Sequence, residues 1–303
     1  MNQPTQSVSP VRAWILGARP RTLPASASPI ILGTAVAFTL GGFRWLPALA
    51  AFFGGILIQI GANFCNDLFD YEKGVDNEER LGPTRVTQSG MLSPRQVRNG
   101  TIVAFGLAAL LGIYLTYAAG WPVIAIGVLS ILAALGYVGG PHPYGYSGFG
   151  ELFVFIFFGL AALCGTVYVQ MLSLPALAWW AALPMGFLST AVLVVNNLRD
   201  IPTDLPTGKK TLAVRFGDQF ARREYLALII LSYLAPLGAL ISGAGSAWGL
   251  LAWLSLPVAI QQIRIVWKES GRPLNAALGG TGKLELIFAL CYAAGLILQR
   301  VFA

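Results

Sequence analysis

Two short acidic clusters stand at the ends of long apolar runs: Asn66-Asp67-Leu68-Phe69-Asp70, and Asn197-Leu198-Arg199-Asp200-Ile201-Pro202-Thr203-Asp204. On a helix, Asn66 and Asp70 lie one turn apart, as do Asn196, Asp200 and Asp204, so each set shares a face. Carboxylates at that spacing repel one another, and at a helix C-terminus they also oppose the macrodipole, so stability does not select them. Oxygen-only side chains on two converging faces suit a hard cation. Mg2+ in particular is usually held by one or two carboxylates, with substrate phosphates completing its shell. Asn66, Asp67, Asp70, Asp200 and Asp204 are the expected metal-binding set. Asp67 points about 60° away from the Asn66–Asp70 line, which leaves direct and indirect ligation open. Asp76, beyond the helix end and beside Gly74, joins Asp70, Asp200 and Asp204 as an acid expected at the reacting centre.

Release of a diphosphate requires positive charge aimed at the leaving group and a dry cavity for the organic fragment. Lys73, Arg85, Arg199, Lys209 and Lys210 lie beside the two clusters and are the expected diphosphate ligands. Basic residues in such connections ordinarily set membrane topology; Arg85 and Arg199 stand out because they sit among motif residues. Tyr146 reads as an interfacial aromatic or as a lining group of an aromatic-substrate site. Glu151 opens an apolar run, where acid favours the helix dipole; the alternative is a place in that same aromatic site. The sole histidine, His142, lies between two prolines and reads as structural.

The elements that must hold these residues are membrane helices. Of 303 residues, 56% are hydrophobic and only 11% charged, against roughly 25% charged in soluble domains. A spanning helix needs about 20 apolar residues. Nine runs approach that length: 23–41, 46–69, 99–119, 121–139, 149–171, 175–197, 224–243, 247–267 and 284–302. The opening six residues are polar and uncharged, unlike a secretory leader, so the first run is expected to stay in the bilayer. Cys65, Cys164 and Cys291 lack metal-site spacing and read as packing residues. The expected fold is all-α: nine transmembrane helices around a central cavity.

Eighteen of the twenty Lys and Arg fall in the N-terminal segment or in the connections after the second, sixth and eighth runs; Arg44 and Arg300 are the others. The positive-inside rule then places the N-terminus in the cytoplasm and, with nine helices, the C-terminus outside. All thirteen carboxylates are expected at the cytoplasmic face. The net charge of +7 therefore calls for phosphates and lipid headgroups as partners, and for no nucleic acid. Residues 10–24, with Trp14 and the arginines, read as an interfacial segment. A Gly-rich linker, 139–148, separates two four-helix halves, about 10–139 and 149–267, from which the ninth helix is left over. In each half the second helix ends in acid and is followed by a basic loop, with Asp70 and Asp200 130 residues apart.

These residues resemble a known pattern. The stretch Asn66-Asp67-Leu68-Phe69-Asp70-Tyr71-Glu72-Lys73-Gly74-Val75-Asp76 is similar to the first Asp-rich motif of the UbiA-type intramembrane prenyltransferases. The Lys-Gly-x-Asp form resembles the 1,4-dihydroxy-2-naphthoate branch. So do Asn196 to Asp204 with Gly208-Lys209-Lys210-Thr211-Leu212, Gly145 to Leu152, and Arg80-Leu81-Gly82-Pro83-Thr84-Arg85. One departure is Glu151, where the branch carries Asp. The resemblance spans nearly all of residues 1–303 and implies one intramembrane prenyltransferase domain. It implies Mg2+-dependent transfer of a polyprenyl group from polyprenyl diphosphate to 1,4-dihydroxy-2-naphthoate, with decarboxylation to a demethylmenaquinone. It further implies a bacterial cytoplasmic membrane, an active site toward the cytoplasm, and metal–diphosphate binding by Asn66, Asp70, Asp76, Asp200 and Asp204. A phytyl donor, or a homogentisate, 4-hydroxybenzoate or tetrapyrrole acceptor, is the alternative within the enzyme class. A secondary transporter is the alternative outside it; transporters set their ionisable residues near the bilayer midplane, whereas these clusters lie at one face.

Overall fold

The computed structural model describes residues 9–74 and 80–302, so Asp76 lies outside the described residues. Its elements are α1 (Pro10–Ala18), α2 (Leu23–Thr39), α3 (Trp45–Glu72), α4 (Pro94–Ala119) and α5 (Pro122–Val138). They continue as α6 (Gly150–Met171), α7 (Ala176–Asp204), α8 (Leu212–Phe216), α9 (Asp218–Ile241), α10 (Ala247–Lys268) and α11 (Leu274–Phe302). Among the described residues there is no strand.

Each of the nine apolar runs is helical, and among the described residues seven helices are long and apolar enough to cross a membrane, or eight if a bent pair counts as one span. The first run belongs to a pair bent by 56°, Pro10–Thr22 and Pro24–Thr39, and the fourth, Pro122–Val138, has 17 residues. The bend follows Arg19, whose left-handed backbone (φ 51°) ends α1. Exposed Val11, Ile15 and Leu16 on α1 match the interfacial segment expected there.

Several boundaries differ for identifiable reasons. Helix α4 starts at Pro94 because Ser93 forms a capping box with Gln96, and proline at the first position gives up no hydrogen bond. Helix α7 continues through the whole second acidic motif to Asp204. Helix α11 starts ten residues before the expected 284. Its first turns carry Gly279, Gly280 and Gly282, which read as loop but serve packing: Gly280 lies directly against the Gln262 side chain of α10.

Helix α7 is the most buried span, with Ala178, Ala181, Met185 and Leu188 fully enclosed. Its Gly186 meets Gly159 of α6 so closely that a Cβ on Gly159 would lie 2.5 Å from the Gly186 Cα. Around that contact α6 widens into a π-helix, Phe155–Cys164, whose Phe157, Phe158, Ala161 and Ala162 line a cavity of about 420 Å3. The cavity walls come mainly from α2 to α7, mostly as apolar side chains, with Leu278 of α11 and polar residues of the connecting loops completing them.

Candidate active site

The two acidic motifs meet at one end of this cavity. Asn66, Asp70, Asp200 and Asp204 all line it, as do Arg85, Tyr146 and Lys209. Asp70 accepts from Arg85 Nη2 at 2.7 Å and from the Tyr146 hydroxyl at 2.5 Å. Lys209 Nζ lies 3.1 Å from Asp204 Oδ1 and 4.8 Å from the centre of the Tyr146 ring. The phenol thus links the motifs, with its hydroxyl on the first and its face under the cation of the second. Among the described residues, Asn66 Oδ1 is buried and has no hydrogen-bond partner. An amide oxygen of unspent acceptor capacity beside three carboxylates is a donor set suited to a hard divalent cation. Among the described residues no three His, Cys, Asp or Glu side chains suffice to hold a metal by themselves, so phosphate oxygens must supply part of any shell.

Four expected ligands are engaged elsewhere. Asp67 lies outside the cavity lining; its oxygens accept from the backbone N–H groups of Val86 (3.1 Å) and Thr87 (2.9 Å), pinning the loop after α3. This follows from its angular offset from Asn66 and Asp70. Lys73 donates to the carbonyls of Val138 (2.5 Å) and Gly140 (3.1 Å), satisfying the C-terminal end of α5. The Lys210 side chain is exposed, and its backbone N–H donates to the Tyr146 carbonyl at 2.7 Å.

Arg199 is fully buried and clasps its own neighbour, Asp200, through Nε (2.8 Å) and Nη2 (2.6 Å). The remaining donors reach Asn196 Oδ1 and Asn275 Oδ1, both at 2.8 Å. Asn275 in turn donates to the Leu81 carbonyl at 2.9 Å. The loop after α3 approaches so closely that a Cβ on Gly82 would lie 2.9 Å from Arg199 Nη2. Arg199 therefore positions Asp200 and anchors that loop, and it does not line the cavity.

Glu151 is buried behind Asn197, whose Nδ2 donates to it at 2.8 Å; Asn197 is the one of the pair that lines the cavity. Beside it, Tyr144 donates to the Ala133 carbonyl at 2.7 Å, and burial pushes its hydroxyl pKa up, so it stays a donor. His142 is exposed in the linker. Arg19, Arg80, Gln59, Asn63 and Ser189 line the cavity without having been singled out for it. For the α3 residues a signal existed: Gln59, Asn63, Asn66 and Asp70 form one polar stripe at helical spacing.

Comparison with known proteins identifies the family. The model of the UbiA prenyltransferase family matches residues 26–296. A 1,4-dihydroxy-2-naphthoate octaprenyltransferase of Mycobacterium tuberculosis is 38% identical, covering 93% of this chain and 96% of its own. Another from Escherichia coli is 36% identical over 97% and 98%. Among solved structures, an apo UbiA homologue from Aeropyrum pernix superposes with a TM-score of 0.67 at 15% identity, covering 89% of this chain and 97% of that one. A UbiA homologue from Archaeoglobus fulgidus bound to DMAPP and Mg2+ gives 0.65 at 14% identity, over 94% and 99%. The chain is an integral-membrane protein and belongs to the UbiA prenyltransferase family.

Proposed function

We propose that this chain transfers a polyprenyl group from its diphosphate to 1,4-dihydroxy-2-naphthoate with loss of the carboxylate as CO2, giving the quinol form of a demethylmenaquinone. The observation that carries the reading is the convergence of Asn66, Asp70, Asp200 and Asp204, with Arg85 and Lys209, at the end of an apolar cavity. The naphthoate octaprenyltransferases at 36–38% identity support the choice of acceptor. With the basic connections at the same end as the acids, the positive-inside rule puts the site at the cytoplasmic face of a bacterial inner membrane.

Bound Mg2+ would be held by Asn66, Asp70, Asp200 and Asp204, with Asp76 as a further candidate, and would supply Lewis-acid stabilisation of the departing diphosphate. Arg85 and Lys209 pair with Asp70 and Asp204 and also face the cavity, so a small swing of either brings a cation to a diphosphate oxygen. Tyr146 keeps Asp70 in place and shields the site from the aqueous side. Phe157, Phe158 and the neighbouring apolar wall exclude water from the allylic carbon as its C–O bond breaks. The electron-rich ring attacks that carbon, and decarboxylation restores aromaticity.

The test is an assay of the purified protein with Mg2+, a polyprenyl or phytyl diphosphate and a panel of aromatic acceptors, read by mass spectrometry. A prenylated, decarboxylated naphthoate is expected, and EDTA should reduce its formation to background. Product with homogentisate or 4-hydroxybenzoate in place of the naphthoate would overturn the acceptor; turnover indifferent to EDTA would overturn the metal.

A further inference from the structure

Among the described residues, the most buried carboxyl lies away from the acidic cluster. Glu285 is fully buried, eleven residues into α11 and so about 16 Å from its start, which corrects the expectation that every acid sits at the membrane face. Its Oε1 accepts from Ser189 Oγ at 2.7 Å, and its Oε2 has no hydrogen-bond partner. Ionisable groups at such depth are costly and mark functional positions.

Ser189 lines the cavity. It precedes Asp200 by eleven residues on α7, about three turns, so both project within about 20° of one another and about 16 Å apart along the axis. On α3, Gln59 stands eleven residues before Asp70, and its Oε1 accepts from Ser26 at 3.3 Å. The cavity therefore has a second polar level, three turns inward from the charged end, with apolar Val192 and Leu193 between the two on α7. A polyisoprenoid tail gains nothing from that level, because it desolvates hydroxyl and amide groups without returning a hydrogen bond. A hydroxylated aromatic does return one. Since Ser189 spends its proton on Glu285, its oxygen faces the cavity as an acceptor, and the carboxyl behind strengthens it through the chained hydrogen bond.

We propose that Ser189, held by Glu285, accepts a hydrogen bond from a ring hydroxyl of the aromatic acceptor. Ser189 is then a specificity-determining contact and Glu285 its positioning residue. The inference rests on the reading of the acceptor as a dihydroxylated naphthoate. With the reacting carbon toward the charged end, the hydroxyl on the far side of that same ring points inward, toward Ser189, and the unsubstituted fused ring lies against the apolar wall.

Steady-state kinetics of purified Ser189→Ala, Glu285→Ala and Glu285→Gln test this, with donor and acceptor varied separately and melting temperatures measured in parallel. Ser189→Ala and Glu285→Ala should raise the acceptor KM about tenfold, equivalent to about 1.4 kcal/mol, while the donor KM stays within about twofold. Glu285→Gln, whose amide oxygen still accepts from Ser189, should restore the acceptor KM. Naphthoates lacking one or the other hydroxyl should include one that wild type and Ser189→Ala bind equally. An unchanged acceptor KM in Ser189→Ala, or both KM values rising together with a fall in melting temperature, would overturn the contact. Wild-type protein that prenylates no hydroxynaphthoate would overturn the functional reading and this inference with it; wild-type turnover with an unmoved variant would overturn this inference alone.

Discussion

Asp70→Asn is expected to lower turnover by about 10²–10³-fold, the usual effect of removing one preorganised electrostatic group from a reacting centre. The asparagine keeps an oxygen to accept from Tyr146 or Arg85, so the fold should persist, with a stability cost of about 1–3 kcal/mol. The check is turnover against a thermal melt in the same detergent. Near-wild-type turnover in a folded Asp70→Asn protein would remove Asp70 from the diphosphate site. The parallel variant at the second motif must be Asp200→Asn as well. Truncation to alanine would strand the fully buried Arg199 guanidinium, and a loss of activity would then report misfolding as much as chemistry.

The second large effect concerns Arg199 itself. Arg199→Met removes four hydrogen bonds to Asp200, Asn196 and Asn275 and leaves the Asp200 carboxylate without its counter-ion. Breaking a buried pair in this way costs about 3–5 kcal/mol. Arg199→Lys should recover little of that, because an ammonium cannot reproduce the two-pronged clasp. Loss of the Asn275–Leu81 tether should also loosen residues 80–92, raising the donor KM and the rate of amide exchange in that loop. Denaturant unfolding and hydrogen exchange measure both. Wild-type protection of the loop in Arg199→Met would show that its bonds to Asp67 and Asp70 hold it without the Arg199 tether.

These two residues mark how far sequence reasoning reached. Asp70 was legible because its position violates the ordinary preference of a helix C-terminus, and Asp200 and Asp204 because their spacing repeats it. The apolar runs announced the helices, whereas the polar stripe on α3, which would have added Gln59 and Asn63 to one wall of the cavity, went unread. Arg199 was misread because adjacent residues on a helix project about 100° apart, and only the long, flexible arginine stem lets it turn onto Asp200. Lys73 and Lys210 share a different cause: their distance along the chain from the motifs was short, yet one caps α5 and the other faces solvent. Glu285 was hidden because the last apolar run was counted only from 284, which left the acid at a helix margin, whereas α11 begins at Leu274 and the intervening glycines are positions within it.

The placement of the acids at helix ends has an electrical consequence. Asp70 lies two residues from the end of α3 and Asp204 is the last residue of α7, so a diphosphate held there stays outside most of the hydrocarbon. A unit charge crossing the whole bilayer exchanges about 2.3 kcal/mol with each 100 mV of membrane voltage. Here the hydrocarbon chain, which carries no charge, is the part that goes deep, while the anion arrives and departs at one surface. Prenyl transfer by the proposed route is therefore electrically silent: it neither draws on the membrane voltage nor dissipates it.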